Sequence, residues 1–102
     1  MMKNIYVDID ETICFYKQKR DYRLAIPNQN NIEKINNLFE DGNKITYWTA
    51  RATVHKDKKD EYYKLTFNQL NEWGCKFHEL IVGEKPNYDL LICDKTKRIE
   101  EI

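Results

Sequence analysis

The chain has no long apolar run. Nothing in it approaches the roughly 18–20 consecutive apolar residues that a membrane-spanning helix needs, so no such helix is expected within these residues. Met1-Met2-Lys3-Asn4 leads straight into a strand-like run, with no cleavage site of small residues. The start is therefore not expected to be a signal peptide. Charge of one sign is also missing: 17 Lys and Arg balance 17 Asp and Glu. No global field steers the chain toward nucleic acid or an anionic surface. Low net charge weakens colloidal repulsion, which leaves self-association into a homo-oligomer open. Cysteine is sparse and odd in number: Cys14, Cys75 and Cys93 at scattered spacing. That pattern is neither a disulfide framework nor a zinc site, and it points to reduced thiols in the cytoplasm. Internal repeats and low-complexity linkers are absent as well.

What is present reads as one packed domain over residues 1–102. Hydrophobic residues make up 41% and aromatic ones 13%, which suits a core and not a disordered chain. Asn4 to Ile9 is a nearly unbroken apolar, β-branched run, the pattern of a buried strand. Ile32, Ile35, Leu38 and Phe39 fall at helical spacing between Asn residues and Gly42, which predicts a helix over 28–41. Lys44 to Thr49 is a second strand. Residues 57–73 form a second helix, with Tyr62, Leu65, Thr66, Leu70 and Trp73 on one side and Gly74 at the end. Strands over 77–82 and 89–93 follow, and Lys95 to Ile102 starts a last helix. The order β-α-β-α-β-β-α implies a parallel sheet with right-handed crossovers. Residues 13–27 are too long for a tight turn and alternate loosely, like a small hairpin or flap.

Chemistry-bearing residues end the apolar runs. Asp8-Ile9-Asp10-Glu11-Thr12 follows Ile5-Tyr6-Val7, and Thr49 follows Ile45-Thr46-Tyr47-Trp48. Lys85-Pro86 lies a short turn beyond Leu80-Ile81-Val82, and Asp94 follows Leu90-Leu91-Ile92-Cys93. In a parallel sheet these strand ends lie side by side, at the edge where open α/β sheets bind ligands. Carboxylates, a hydroxyl and an ammonium at one point suit a divalent cation and a phosphate. Each residue alone has a plainer role: Asp and Thr cap turns, and lysines are mostly solvated. The combination carries the argument.

The four motifs in this order resemble the haloacid dehalogenase (HAD) superfamily. Asp8-Ile9-Asp10-Glu11-Thr12 is similar to its DxDxT signature. Thr49, Lys85 and Asp94 resemble its second, third and fourth motifs. The stretch from Trp73 to Asp89 further resembles small capless phosphatases of capsular polysaccharide biosynthesis. The resemblance implies an α/β fold: a three-layer, Rossmann-like parallel sheet of about four strands with helices on both faces. That is a minimal core with a short flap over 13–27 and no cap domain.

It also implies a Mg²⁺-dependent phosphomonoester hydrolase acting on a small phosphorylated substrate, such as a sugar or polyol phosphate. Asp8 is then the nucleophile, Asp10 the general acid and base, and Thr49 and Lys85 the phosphate-binding donors. Asp8, Asp10 (through its carbonyl) and Asp94 are the metal ligands. Thr12 is expected to brace the loop by hydrogen bonding, and Arg51, two residues past Thr49, to reach substrate or to be a plain surface arginine. Tyr16, Lys17, Lys19, Arg20, Tyr22 and Arg23 line the substrate mouth or form a solvated hairpin. His55 and His78 take core or surface roles, and Asp89 caps a turn.

One departure stands out: Cys93 occupies a position where relatives often carry a second acid, and a thiol is a poor ligand for Mg²⁺. The alternatives are a nucleotide or polynucleotide 3′-phosphatase, although neutral charge disfavours nucleic acid as a partner, and a catalytically degenerate HAD-like binding protein. A receiver-type signalling domain is opposed by Thr49, which ends the strand where a phospho-accepting Asp would stand.

Overall fold

The computed structural model describes residues 3–17, 21–51, 56–83 and 90–92. Strand β1 (Asn4–Asp8) lies inside a four-stranded sheet, between β4 (Lys44–Thr49) and β6 (Leu90–Ile92). Strand β5 (Glu79–Val82) flanks β4, giving the order β5-β4-β1-β6. Every pair is parallel. Ile5 and Val7 of β1 are buried and align with Ile45 and Tyr47 of β4. Tyr47 and Thr49 in turn align with Leu80 and Val82. Across β1, β4 and β5 this face is largely apolar up to Thr49, as expected for strands buried by crossover helices.

Helix α1 (Gln29–Glu40) starts where the sequence signals it: Asn28 Oδ1 accepts a hydrogen bond from Asn31 N at 3.1 Å. It ends at Asp41 and Gly42, whose φ of 96° suits glycine. Helix α2 (Lys59–Glu72) follows a 3₁₀ turn at Lys56–Lys58. It carries Asp60 and Glu61 in its first turn, where the helix dipole favours acids. From β1 through α1 to β4, and through α2 to β5, the chain steps outward in one direction. Right-handed crossovers then put both helices on the same face. Ile32, Ile35 and Leu70 accordingly share one core cluster with Ile5, Val7, Ile45, Tyr47, Leu80 and Val82. The last helix, expected to start at Lys95, lies outside the described residues.

The fourth strand of the main sheet reverses this direction. Strand β6 pairs with the other edge of β1, so the strand order switches at β1. Ligands of open α/β sheets bind at such a switch point, beyond the carboxyl ends of the strands.

The flap is a hairpin, as its alternation suggests. Among the described residues its paired strands are β2 (Cys14–Phe15) and β3 (Ile26–Pro27), antiparallel, with a 3₁₀ turn at Tyr22–Leu24 between them. Strand β5 begins at Glu79, later than the expected 77. The reason is His78: Ile45 N donates to its Nδ1 at 3.0 Å, and His78 N donates to Ile45 O at 2.8 Å. A side chain thus supplies the pairing that a strand residue would make, and the ring stacks on Phe39. Among the described residues no helix is long and apolar enough to cross a membrane.

Candidate active site

The loop after β1 makes a single helical turn. Ile13 N donates to Ile9 O at 3.0 Å and Thr12 N to the same oxygen at 3.2 Å. Glu11 takes a left-handed conformation, φ 64°, which is uncommon for a residue with a Cβ. Asn31 Nδ2 donates to Thr12 O at 2.9 Å, tying the turn to α1. Thr12 therefore braces the loop through its backbone. That is the bracing expected of it, made by the main chain; its buried hydroxyl has no hydrogen-bond partner among the described residues.

Asp8 ends β1, half-buried, and its carboxylate accepts from Ile9 N at 2.8 Å. Asp10 follows, its side chain only 9% exposed. Both of its carboxylate oxygens carry donors. Oδ1 accepts from Arg51 Nη2 at 2.8 Å, from Tyr16 OH at 2.5 Å and weakly from Cys14 Sγ at 3.6 Å. Oδ2 accepts from Arg51 Nε at 3.1 Å and from Thr49 Oγ1 at 3.3 Å.

Thr49 reaches Asp10 because β4 runs parallel to β1 and ends beside it. Its hydroxyl also accepts from Arg51 N at 3.1 Å. The expected phosphate donor is thus engaged with the neighbouring acid. The two acids and Thr49 are brought together; Lys85 and Asp94, with Cys93, Asp89, His55, Lys19 and Arg20, lie outside the described residues.

Arg51 departs most from expectation. It is not the plain surface arginine of one alternative but fully buried. Its fork grips Asp10 bidentately, Nη1 donates to Thr66 Oγ1 at 3.0 Å and Gln69 Oε1 at 2.6 Å, and Nη2 also meets Tyr16 OH at 3.2 Å. All five guanidinium N–H groups have acceptors. The Tyr22 ring lies 4.6 Å from its central carbon. Burial works against the charge, but the hydrogen bond and charge of Asp10 hold the guanidinium above its ordinary pKa.

The flap residues divide. Tyr16 and Tyr22 join this cluster, whereas Lys17 is exposed and Arg23 pairs with Asp21 at the surface. Burial, then the bond to Asp10, pushes the Tyr16 phenol well above its usual range. Burial and the nearby Asp10 charge push the Cys14 thiol up to about 12. Both groups stay protonated near neutrality.

Thr66 and Gln69 were not foreseen as part of the site. Thr66 sits on the stripe expected to pack, and Gln69 lies one turn along the same face of α2. The sequence offers only a weak signal, two polar residues at helical spacing on a packing stripe; that they and Arg51 are buried and need each other is a fact of the fold.

The donor chemistry at Asp8 fits a hard cation. Its carboxylate offers oxygen, the ligand Mg²⁺ requires. The Asp10 carboxylate is taken up by Arg51, which leaves a metal role for Asp10 to its carbonyl, as the resemblance implies. Among the described residues no group of three His, Cys, Asp or Glu side chains gathers, and the expected third ligand, Asp94, falls outside them.

No protein-family model matches the chain, and no curated protein is significantly similar to it. Among solved structures, the chain is similar to a structural-genomics target from Vibrio cholerae, with 23% identity and a TM-score of 0.67. The match covers 83% of this chain and 72% of that one. At this identity the likeness concerns the fold, and it supports a Rossmann-like α/β architecture.

Proposed function

We propose that this chain is a Mg²⁺-dependent phosphomonoesterase of the HAD type. The observation that carries the reading is the meeting of Asp8, Asp10 and Thr49 at the carboxyl ends of two adjacent parallel strands, beside the switch point. In this mechanism Asp8 attacks phosphorus in line, and the P–O bond to the leaving group breaks. An aspartyl-phosphate forms, and the leaving oxygen takes a proton from Asp10. Water then attacks the phosphoryl group, gives its proton to Asp10 and frees Asp8.

Two unit charges about 4 Å apart repel by about 4 kcal/mol at an effective dielectric near 20, so an anion attacking a phosphate dianion needs compensation. Bound Mg²⁺ would offset that repulsion and orient the phosphoryl oxygens. From the chain, Asp8 and Asp94 and the Asp10 carbonyl would hold it, and Lys85 would add an ammonium.

The cage of donors around Asp10 favours its carboxylate form. That form suits the second half-reaction, in which Asp10 takes a proton from water. The first half needs the protonated acid and is the half the cage opposes. The same feature supports a second reading, a catalytically degenerate binding protein whose acid is committed to structure.

For the substrate we favour a phosphorylated sugar or polyol of surface-polysaccharide synthesis, handled in the cytoplasm. This rests on the subfamily resemblance and on the free Cys14 and Cys75. The test is phosphate release with Mg²⁺ and with chelator, across sugar phosphates, polyol phosphates, nucleotides and 3′-phosphorylated oligonucleotides. Asp8→Asn serves as the blank and should lose all turnover while keeping the wild-type circular dichroism. Metal-dependent release favouring one class supports the phosphatase. A folded protein with no release on any substrate moves the reading to the binding protein.

A further inference from the structure

Gln69 sits on α2, away from the strand ends, and uses both ends of its buried amide. Oε1 accepts from Arg51 Nη1 at 2.6 Å, and Nε2 donates to the Tyr22 carbonyl at 2.6 Å. The orientation follows from the partners: guanidinium only donates and a carbonyl only accepts, so the amide fits one way round. Tyr22 belongs to the flap turn. Arg51 grips Asp10, and Tyr16, also of the flap, donates to Asp10. The bonds close a ring: flap turn, Gln69, Arg51, Asp10, and the flap again. Thr66 touches Arg51 but makes no such bridge.

We infer that Gln69 is a positioning residue that sets the Asp10 carboxylate through Arg51 and ties that setting to the flap. Its acceptor end fixes the rotation of the guanidinium, and through the bidentate fork that fixes the carboxylate plane. Its donor end holds the flap turn over the arginine, where the Tyr22 ring covers it. The flap is thus a wall latched onto the acid–base residue. The catalytic consequence rests on the phosphatase reading above; the latch itself does not.

Two variants separate the two ends. Gln69→Met removes both bonds. Gln69→Glu still accepts from Arg51 but cannot donate to Tyr22, and it turns a carboxylate toward a carbonyl. Amide hydrogen exchange of the otherwise intact chain reads the latch. Both variants should speed exchange at Leu24 and Ala25 by about tenfold or more while β1 and β4 keep their protection. Unchanged flap exchange, or equal loosening everywhere, overturns the latch.

Turnover reads the positioning. An alkyl phosphate needs its leaving oxygen protonated far more than an aryl phosphate does. Gln69→Met should therefore lower kcat on an alkyl phosphate about tenfold more than on an aryl phosphate. Gln69→Glu should keep the wild-type ratio. Equal losses on both substrates overturn the positioning role. A wild type without turnover on either refutes the phosphatase reading, and hydrogen exchange still decides the latch.

Discussion

A buried arginine is costly unless each of its donors is met, and Arg51 meets that condition by drawing on three parts of the chain. Removing one partner of such a pair strands the other charge, typically at about 3–5 kcal/mol. Arg51→Ala should destabilise the fold by that order in urea unfolding, well beyond what a surface arginine would cost. Arg51→Lys should recover only part of the loss, because a lysine has three donors and no planar fork. Tyr16→Phe should cost less, about 1–3 kcal/mol, since Arg51 and Thr49 still serve Asp10. At this scale the acids and Thr49 were legible in the sequence because each ends an apolar run. The role of Arg51 was not. Its acceptors Thr66 and Gln69 lie on a helix well beyond it in the chain, and only the crossover brings that helix over the strand end.

Among the elements, local signals and boundaries agree where a residue does a single job. Asn28 caps α1 with its side chain, and Gly42 and Gly74 end the helices with φ of 96° and 78°. Gly74 has open space around an added Cβ. Gly74→Ala should therefore carry only the backbone penalty of a left-handed residue, about 1–2 kcal/mol, seen as a lower urea midpoint with an unchanged slope. The sequence placed α1 to within a residue of its observed ends. It misplaced the start of β5, because nothing in a strand pattern reveals that an imidazole will act as a hydrogen-bond acceptor for the neighbouring strand. The flap was legible as a hairpin from its length and alternation. That its tyrosines turn inward while Lys17 and Arg23 turn outward was not, since the inward pull comes from a guanidinium elsewhere in the sequence.

Over the whole molecule, the buried weak acids pull in one direction. Burial, with the Asp10 charge, raises Cys14 to about 12, and burial raises Cys75 to about 12, from an unfolded value near 9.0. The Tyr47 and Tyr16 phenols are raised as well, Tyr47 chiefly by burial. Each group keeps its proton in the fold at a pH where the unfolded chain has lost it. The stabilisation is complete below about pH 9 and is lost as pH climbs toward 12. Urea midpoints should therefore fall progressively above pH 9, and more gently in Cys75→Ala. Native alkylation at pH 8, read by peptide mass, should leave Cys14 and Cys75 unmodified. A midpoint that stays flat to pH 11 would contradict the burial of these groups. The parallel α/β sheet itself was readable from the alternation of strand and helix patterns, whereas the placement of β6 beside β1 is a property of topology that no local pattern carries.

That placement governs the order of assembly. Strand β1 is made well before β6, so one of its edges stays unpaired until Leu90, Leu91 and Ile92 arrive to meet Ile5, Tyr6 and Val7. During synthesis β1, β4 and β5 can pair while Asp8 stands at an open edge, a template for stray strands. Among the described strand pairs, closing that edge joins the residues farthest apart in sequence, which makes it a slow step. The strand that ends in Asp8 is therefore completed only when a distant part of the chain arrives.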